Sequence, residues 1–527
     1  MKITEHGFRP SAEQRRRWLD RAAASMAVLH EVPCTPVGLV TCVADTTAWQ
    51  GWRTAPAGTM AELAGRKLKR GDRVLIDLGE HLVGYLELSL SSAGNPPDSP
   101  GRFRVCVFET PAEAADPDTP LTVQMSHAWF QDERVTVDVL PTVVRMPRRS
   151  AGRYVLIEII DTSIGWQLVI DAVRLHYVGA APLELPASET VLSPAMAAID
   201  RVALRTLRGC MQTVFEDGPK RDRRLWSGDL RLQALVDGVS FRKTALVQRS
   251  ILLLAAGTRE SDGVLPACIF ERPLPHPAAD VILDYALLLP AILQDLAARP
   301  DADRGLIREL LPLARRQLEI GLSFVGADGL MSPPPGWWTF IDWAPGLDKQ
   351  AALHGIMVYG LRAFARVAAD FDAADLAADL VAPTASLVEC GRALLWDASR
   401  RVVVSGAERQ ISWASPAWFA LAGIITAAEA ADALQQAMHQ ADAIRPGGPY
   451  LMHHVVHALW ISGRREQALK LIGDFWGGMV ERGADTFWEV YDPAKPAWSP
   501  YGDSRMNSAC HAWSCTPSWF LRGGCTA

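Results

Sequence analysis

The chain has 527 residues, of which 49% are hydrophobic and 21% charged, and its formal net charge is -6. These values are typical of a soluble globular protein that is too long for one compact core, so two or three domains are expected. The weakly acidic balance without a long basic run argues against nucleic acid and anionic membranes as partners, and no apolar run reaches the roughly 18 residues that span a bilayer.

The first thirty residues, 1–30, predict a helix or an N-terminal arm around "SAEQRRRWLDRAAASMAVL". They lack the apolar core of a signal peptide, and the nine cysteines form no CxxC pair. Export by that route is therefore not expected, and we expect reduced thiols in a cytoplasmic protein.

Residues 31–185 show a hydrophobic period of two. Segments such as "GYLELSL" (84–90), "GRFRVCVFE" (101–109) and "GRYVLIEII" (152–160) alternate or are rich in β-branched residues. Turn-rich stretches such as "SSAGNPPDSPG" separate them. This pattern predicts an N-terminal antiparallel β-sandwich domain, followed by a linker around "LPASE".

Residues 190–527 show a period of 3.6 instead. About a dozen amphipathic stretches occur there, among them 193–213, 229–257, 278–298, 302–325, 347–371, 375–397, 425–439, 449–462, 464–481 and 507–522. Loops rich in Gly and Pro join them. A dozen helices in alternating pairs predicts an (α/α)6 barrel, in which the ends of the inner helices and their loops form one central pocket.

The tryptophan content is unusual, at 18 residues. Many of them lie beside Gly, Pro or carboxylates in predicted loops, as in "GWWTFIDWAPG", "TFWEVYD" and "RLWSGD". Core packing is the default explanation for a single Trp. Repeated Trp beside acids in loops favours a polar pocket with flat apolar walls, which suits sugar rings whose C–H faces stack on aromatics and whose hydroxyls bind carboxylates. A carbohydrate ligand is therefore expected.

The segment "FEDGPKRDRRLWSGDLR" (215–231) concentrates carboxylates, cations and a Trp in one proline-containing loop. A solvated surface turn has the same charge density, and that alternative stays open from charge alone. The predicted helices on either side place the segment where an all-helical barrel carries its active site.

Four segments, in order, resemble the α-L-rhamnosidases of glycoside hydrolase family 78. The loop "DGPKRDRRLWSGD" is similar to the signature loop of that family, with Ser227 in place of a Thr. The other three are "GWWTFIDWAPGLDKQ", "GADTFWEVYD" and "NSACHAWSCTPSWFL", and "DRVLIDLGEHLVGYLEL" and "GRYVLIEI" resemble strands of its N-terminal half. The loop residues that match are Asp217, Pro219, Arg221, Trp226, Gly228 and Asp229.

The resemblance implies a hydrolase that inverts the anomeric centre with two carboxylic groups, one protonated and one ionised. It implies that Glu489 is the general base, although an ordinary loop glutamate is the alternative. It also implies that Asp217 and Asp229 accept hydrogen bonds from rhamnose hydroxyls; the first turn of the next helix would equally favour Asp229. Other substrate contacts implied by composition and resemblance are Arg221, Trp226, Trp338, Asp342, Trp343, Trp488 and His511, the last on the inner end of the final helix.

In an ungapped overlay Asp222 stands where the family has the glutamic general acid, whereas a variant spelling of the family motif, with one more residue before the acid, places Arg223 there, which cannot donate a proton usefully. Arg221, Arg223 and Arg224 would hold Asp222 ionised if they pointed at it, which opposes proton donation. Three outcomes follow: Asp222 is the acid with the arginines turned away, another residue is the acid, or hydrolysis has been lost.

No cofactor and no metal are expected. His453 and His457 have the i, i+4 spacing of metal ligands but lack the glutamate of an HExxH motif, and the spacing of Cys510 and Cys515 does not suit zinc.

The expected function is an inverting exo-glycoside hydrolase that removes terminal α-L-rhamnose from small rhamnosides. The alternatives are another exo-glycosidase, a phosphorylase whose phosphate site uses the arginines near residue 221, or a sugar-binding protein without the general acid. The oligomeric state stays open.

Overall fold

The computed structural model of the protein describes residues 7–120, 123 and 125–525. Strands dominate as far as residue 179 and helices dominate from residue 194, as the change in hydrophobic period predicts. Residues 180–193 join the two parts without a regular element.

Among the described residues, the strands of the first part are β1 His30–Cys34, β2 Gly38–Ala44, β3 Trp52–Gly58, β4 Lys67–Leu68, β5 Arg73–Gly94, β6 Gly101–Phe108, β7 Gln131–Val137, β8 Thr142–Arg145, β9 Ser150–Asp161 and β10 Trp166–Gly179. Short strands in the second part are β11 Leu225–Trp226, β12 Cys268–Phe270, β13 His276–Pro277, β14 Trp396–Asp397, β15 Val402–Ser405 and β16 Gln410–Ile411.

Strand β5 organises the N-terminal sheet, whose main path runs β1-β10-β5-β9-β6-β7. Its first residues pair with β2 and β9, and its later residues pair with β10 and β8, always antiparallel. Its pairing with β9 is irregular between Asp77 and Leu82. The antiparallel character of the predicted β-sandwich is confirmed, and pairing through β5 joins the described strands β1–β10 into one branched sheet.

The sheet forms because apolar side chains recur at every second position. In β5, Leu86, Leu88 and Leu90 are all buried, and they pack with Val74 and Ile76 in one cluster under the sheet. Burying each such side chain contributes about 1.5–3 kcal/mol relative to exposure.

The helices are α1 Ala12–Ala24, α2 Met60–Ala64, α3 Pro111–Ala115, α4 Pro194–Cys210, α5 Ser227–Gly238, α6 Thr244–Ala256, α7 Leu283–Leu287, α8 Leu289–Ala297, α9 Arg304–Leu322, α10 Gln350–Asp370, α11 Val381–Leu395, α12 Ala414–Ala422, α13 Ala427–His439, α14 Pro449–Ile461, α15 Arg465–Ile472, α16 Gly478–Glu481 and α17 Pro517–Leu521. A 3-10 turn at Ala512–Cys515 precedes α17.

From α5 onwards, alternate long helices along the chain pack against one another in order. Helix α5 contacts α8, α8 contacts α10, α10 contacts α12, and α12 contacts α14. The turn Ala512–Cys515 contacts both α14 and α5, which closes the sequence of contacts into a ring of six members. The loops that lead into these members therefore meet around one axis.

The structure departs from several of the predicted helices, and the predicted stretch 278–298, for example, is the two helices α7 and α8. The stretch 229–257 is two helices, because the Asp237 carboxylate accepts hydrogen bonds from Lys243 N at 3.0 Å and holds a turn between them. Helix α12 was not among the predicted stretches. The predicted helix 507–522 is only the turn Ala512–Cys515 and α17, so His511 lies in extended backbone and not on a helix end.

The N-terminal helix α1 packs on α6 of the helical part and not on the sheet. Trp18 is fully buried there, and its Nε1 donates a hydrogen bond to Glu309 Oε1 at 2.8 Å. None of the helices in the described residues combines the length and apolar character needed to cross a membrane.

Candidate active site

A cavity of about 370 Å³ lies where the loops entering the ring converge. Asp229 is in the first turn of α5, Trp343 is in the loop before α10, and His511 directly precedes the turn Ala512–Cys515. The cavity brings together nine of the predicted residues: Asp217, Arg221, Asp222, Trp226, Asp229, Trp338, Trp343, Glu489 and His511.

The loop between α4 and α5 is held in shape by its own aspartate. The Asp217 carboxylate accepts hydrogen bonds from Asp222 N at 3.2 Å and Arg224 N at 3.1 Å. Asp217 and Arg221 are each only 4% exposed and Lys220 is 3% exposed, so the loop is not a solvated surface turn.

Gly228, at the start of α5, permits a close approach of the cavity wall. A Cβ atom at this position would lie 2.3 Å from the ring of Tyr285, which lines the cavity. Any side chain at residue 228 would therefore displace that ring.

Arg221 connects the two predicted catalytic carboxylates. Its Nη1 lies 3.0 Å from Asp222 Oδ1, and its Nη2 lies 2.8 Å from Glu489 Oε2. The terminal nitrogens of one guanidinium are about 2.3 Å apart, so these two carboxylate oxygens lie within about 8 Å of each other. The arginine points at Asp222, and Arg224 Nη1 lies 3.7 Å from the other oxygen of that carboxylate. In this structure the arginines are therefore not turned away from Asp222, and turning away is the condition under which Asp222 is expected to act as the acid.

Glu489 is held as a carboxylate. Burial alone would raise its pKa, but the charges of Arg221 and His511 and the hydrogen bonds from Ser508 N (2.9 Å) and the Tyr501 hydroxyl lower it below its ordinary value. Ionised and buried, Glu489 has the charge state that a general base needs.

Asp217 is the carboxyl group of the loop that retains a proton near neutral pH. Burial, then the charge of Asp222, raise its pKa to about 7, and Asp229 adds to this effect while His511 opposes it. Neighbouring carboxylates that cannot all ionise push the pKa of one of them upwards.

Several buried polar atoms of the cavity lack hydrogen-bond partners in the part of the chain that the structure describes. His511 Nε2 lies 3.3 Å from Asp229 Oδ1, an ion-pair distance without hydrogen-bond geometry. Burial would lower the pKa of His511, but Asp229, Glu489 and Asp217 raise it to about 9, so the ring is cationic. In the described residues, Asp229 Oδ1, both nitrogens of His511 and the indole nitrogens of Trp226 and Trp343 have no hydrogen-bond partner. Buried polar groups are rarely left unsatisfied, and these atoms suit the hydroxyls of a bound sugar.

Aromatic side chains form the apolar walls. Phe340 stacks on Trp513 with ring centroids 5.6 Å apart, and Trp343 meets Tyr501 edge to face at 5.7 Å. Trp338 is 39% exposed and lies at the rim.

Two predicted contacts, Asp342 and Trp488, do not line the cavity. The Asp342 carboxylate accepts hydrogen bonds from Gly447 N at 2.5 Å and Ala344 N at 3.3 Å, so it holds its own loop against a neighbouring one. Trp488 stacks on Trp49 of the sheet domain at 4.1 Å and is 5% exposed. In this structure Asp342 Oδ2 supports a loop while its Oδ1 has no hydrogen-bond partner among the described residues, and Trp488 packs the two parts of the chain together; the sugar contacts of both stay predictions.

Sequence reasoning missed several cavity residues, notably Trp129, Tyr285, Tyr501 and Trp513. Tyr501 stands in "PAWSPYGD", a segment in which a Trp lies near prolines and close to an aspartate, like the Trp segments quoted above. Trp129 belongs to the sheet domain, and no spacing rule connects it with residue 222. An aromatic count that included Tyr would have found Tyr501.

The sheet domain supports the catalytic loop through a buried ionic cluster. Lys220 Nζ lies 2.9 Å from Glu109 Oε2 and 2.8 Å from Glu113 Oε1, and His81 Nε2 lies 3.2 Å from Glu109 Oε1. Lys220 is adjacent to Arg221, so these contacts position the guanidinium that bridges the two carboxylates.

A larger cavity of about 540 Å³ lies on the other side of the 344–345 and 491–498 segments. It contains none of the predicted site residues, and Arg221 and Glu489 do not reach it. The electrostatic features described above belong to the smaller cavity, which is therefore the candidate active site.

The histidines of α14 are packed in the core. His453 and His457 lie against Trp519 and Phe520, and burial lowers the pKa of both. The described residues contain no group of three His, Cys, Asp or Glu side chains arranged to hold a metal ion.

Comparison with known proteins supports a common origin for the whole chain. Residues 36–177 match the sequence model of the glycosyl hydrolase family 78 alpha-rhamnosidase N-terminal domain. The chain is 40% identical to a rhamnosidase from Klebsiella oxytoca whose structure has rhamnose bound, with a TM-score of 0.92 over 96% of this chain and 98% of that one. Curated protein sequences give no match.

More distant structures share the fold. A family 78 rhamnosidase of Bacillus sp. GL1 is 21% identical, with a TM-score of 0.72 over 85% of this chain and 46% of that one. A Streptomyces avermitilis α-L-rhamnosidase complexed with L-rhamnose is 17% identical, with a TM-score of 0.67 over 94% of this chain and 44% of that one.

Proposed function

The chain belongs to glycoside hydrolase family 78, and from this we propose that it is an α-L-rhamnosidase that removes terminal α-L-rhamnose from small rhamnosides or oligosaccharides with inversion. The similarity to a rhamnosidase with rhamnose bound supports the choice of sugar. The closed ring of helices supports an (α/α)6 barrel, which follows the antiparallel N-terminal sheet.

The observation that carries the proposal is the contrast, within one cavity, between a fully hydrogen-bonded Glu489 and the hydrogen-bond-free polar atoms of Asp229 and His511. Arg221, Tyr501 and Ser508 N surround an ionised Glu489. The hydroxyls of a terminal sugar bind Asp229 and His511. Its anomeric carbon then faces a water molecule that Glu489 deprotonates.

Asp222 is the proposed general acid because of its position. The side chain of Asp222 is 14% exposed, whereas the residue Asp217 is 4% exposed. Asp222 lines the 370 Å³ cavity of the candidate active site, called the sugar cavity below, and also a second cavity next to it. A leaving group has to lie on the side of this second cavity, because the acid must contact the glycosidic oxygen. Donation requires that substrate binding weaken the contact of Arg221 Nη1 with Asp222 Oδ1.

Asp217 is the competing candidate, since its pKa is about 7 and it retains a proton where Asp222 is paired with arginine. Its two oxygens already accept backbone N–H groups of the loop. In our proposal Asp217 keeps the loop folded, and Asp222, which lines both cavities, delivers the proton to the substrate.

Hydrolysis of para-nitrophenyl α-L-rhamnoside, with the matching β-D-glucoside as control and each assayed with and without phosphate, tests the proposal. We expect turnover of the rhamnoside alone, unaffected by phosphate. Turnover of both sugars alike would contradict rhamnose specificity, and a strict requirement for phosphate would establish a phosphorylase. Millimolar L-rhamnose that protects the enzyme from unfolding without any turnover would identify a binding protein.

A further inference from the structure

A second cavity, of about 510 Å³, adjoins the sugar cavity on the side of Asp222. Trp129, Asp222 and Arg224 line both cavities, so the two cavities adjoin at the proposed general acid. Glu489 does not line the second cavity. We call this second space the arginine cavity.

Five arginines line it: Arg148, Arg149, Arg223, Arg224 and Arg272. Three carboxylates line it as well, Glu216, Asp222 and Glu271. The lining therefore carries more positive than negative charge, in a protein whose net charge is -6.

The carboxylates of the cavity are already engaged. Both oxygens of Glu216 bind Arg149 Nη2, at 2.8 and 2.7 Å. Glu271 pairs with Arg249, which lies outside the cavity, and accepts a hydrogen bond from Thr213 Oγ1. Asp222 is bound by Arg221.

Arg148 pairs with Glu133, which lies outside the cavity, and Arg224 Nη1 lies 3.7 Å from Asp222 Oδ2. In the part of the chain that the structure describes, Arg223 and Arg272 therefore remain without a carboxylate partner. Arg272 is exposed at the mouth of the cavity. Arg223 reaches only neutral acceptors, Gln131 Oε1 and Lys220 O, each at 3.3 Å. Its backbone is in the left-handed region, with φ of 62°, a conformation that costs a non-glycine residue free energy and that recurs at ligand sites.

The surroundings of Arg223 disfavour its charge. Burial, and then the neighbouring Arg149, lower its pKa to about 10, with Arg148 adding to the effect. A guanidinium that is desolvated among like charges is stabilised when an anion enters.

We propose that the arginine cavity binds an anionic group of the aglycone, the part of the substrate that leaves, so that the preferred substrates are α-L-rhamnosides of an acidic sugar. This inference rests on the proposed function, because the general acid places the leaving group beyond Asp222. The group is the carboxylate of a uronic acid or a phosphate ester, both of which guanidinium groups bind through paired hydrogen bonds.

Phosphate as a nucleophile fits this cavity poorly. In an inverting reaction the nucleophile approaches the face of the sugar opposite the acid, on the side of the base. The arginine cavity includes the acid Asp222 and excludes Glu489. Its charge therefore serves the leaving group.

The test compares matched substrates. One pair is the α-L-rhamnoside of a hexuronic acid with its carboxylate free and the same compound as its methyl ester. The other pair is the rhamnoside of a hexose phosphate and the same compound without phosphate. We expect kcat/KM to be at least about tenfold higher for the anionic member of one pair, as charge-assisted hydrogen bonds imply. The pair with the larger ratio identifies the anion.

Variants locate the effect. Arg272→Gln should lower the anionic-to-neutral ratio of kcat/KM by about threefold or more, and Arg223→Gln should lower it further. Arg242→Gln is the matched control, because Arg242 lines neither cavity and its side chain is 69% exposed; its ratio should equal that of the unaltered protein. Replacing Arg272 removes no ion pair of the described residues. Arg272→Gln therefore stays informative if Arg223→Gln does not fold.

The outcomes separate the two proposals. Ratios near one for both pairs, in a protein that hydrolyses nitrophenyl rhamnoside, would overturn the arginine cavity as an anion site and leave the rhamnosidase intact. A high ratio that Arg272→Gln and Arg223→Gln both leave unchanged would also overturn it. If no rhamnoside is hydrolysed, the proposed function fails; titration with glucuronate and with glucose phosphate, against Arg272→Gln, then decides whether the cavity binds anions.

Discussion

The two sides of the sugar cavity differ in how completely their polar groups are paired. Around Glu489 each carboxylate oxygen has a partner, from Arg221, Ser508 N and Tyr501. Asp229 Oδ1 and both ring nitrogens of His511 are buried and form an ion pair without a hydrogen bond to any described protein atom. Hydrogen bonds fix the charge of the base before substrate arrives, whereas atoms without a hydrogen bond are available to bind it. From this difference we infer that Glu489 and its partners carry out the reaction, and that Asp229 and His511 bind the sugar.

The most damaging change should be Glu489→Gln. Gln cannot take a proton from water, so kcat should fall by about 10²–10⁴ or more on every rhamnoside, whatever its leaving group. Tyr501→Phe is the milder companion, since it removes one hydrogen bond from an intact base. The values of kcat on the nitrophenyl rhamnoside and on a disaccharide with terminal α-L-rhamnose check this expectation. A Glu489→Gln enzyme that retained most of its activity would place the base elsewhere.

Asp222→Asn should show a graded loss. An activated phenol hardly needs protonation, so its kcat should fall much less than that of a disaccharide, for which about 10²–10⁴-fold is expected. Asp217→Asn serves as the comparison. If only Asp217→Asn produces the graded pattern, Asp217 is the acid that contacts the leaving group. Equal losses on both substrates for Asp222→Asn would remove it from the acid role.

The recognition side should respond through affinity. Asp229→Asn should weaken inhibition by L-rhamnose about tenfold or more, because a charged acceptor contributes about 1.5–3 kcal/mol to a hydrogen bond. The effect on kcat should be smaller than that of Glu489→Gln. Competition with the nitrophenyl substrate measures the inhibition. Asp342→Asn is the control: since Asp342 holds a loop outside the cavity, its effect should appear in thermal stability before it appears in the inhibition constant.

The ion pair on this side also predicts a pH dependence of stability. The pKa of His511 is raised from 6.5 to about 9, so its contribution is fully present below pH 6.5 and is lost as the pH rises through about 9. The loss amounts to about 3 kcal/mol at most. Chemical denaturation at pH 6.5 and 9 should show a smaller decrease for His511→Gln than for the unaltered protein. His81 has a similarly raised pKa and stays in both proteins, so the difference isolates His511. An identical decrease in both proteins would contradict the pairing with Asp229.

Much of this contrast was readable in the sequence, because the loops that carry it have a distinctive composition. Hydrophobic periods of two and 3.6 separate the halves, and the motif around Asp217 predicts the catalytic loop. Orientation was not readable. Asp229 and Asp342 both stand beside Trp in loops, yet backbone N–H groups of Ala344 and Gly447 engage Asp342, and only the folded chain brings Gly447 near.

Long-range packing explains the other differences. Helix α12, "ASPAWFALA", is buried on nearly all sides, so it has no polar face to reveal its period. Trp488 is separated from Trp49 by most of the chain, and its stacking could not be inferred from spacing. The arginine cavity also could not be predicted, because its arginines are far apart in the sequence. They come from a loop of the sheet (148–149), the loop between α4 and α5 (223–224) and the segment between β12 and β13 (272).

The configuration of the first sugar released tests the central claim most directly. Proton NMR during the first minutes of hydrolysis of an α-L-rhamnoside should show β-L-rhamnose before mutarotation produces the α anomer, because a water activated by Glu489 attacks the face opposite Asp222. Initial release of α-L-rhamnose would contradict the assignment of Glu489 as a base and would require a covalent intermediate in its place.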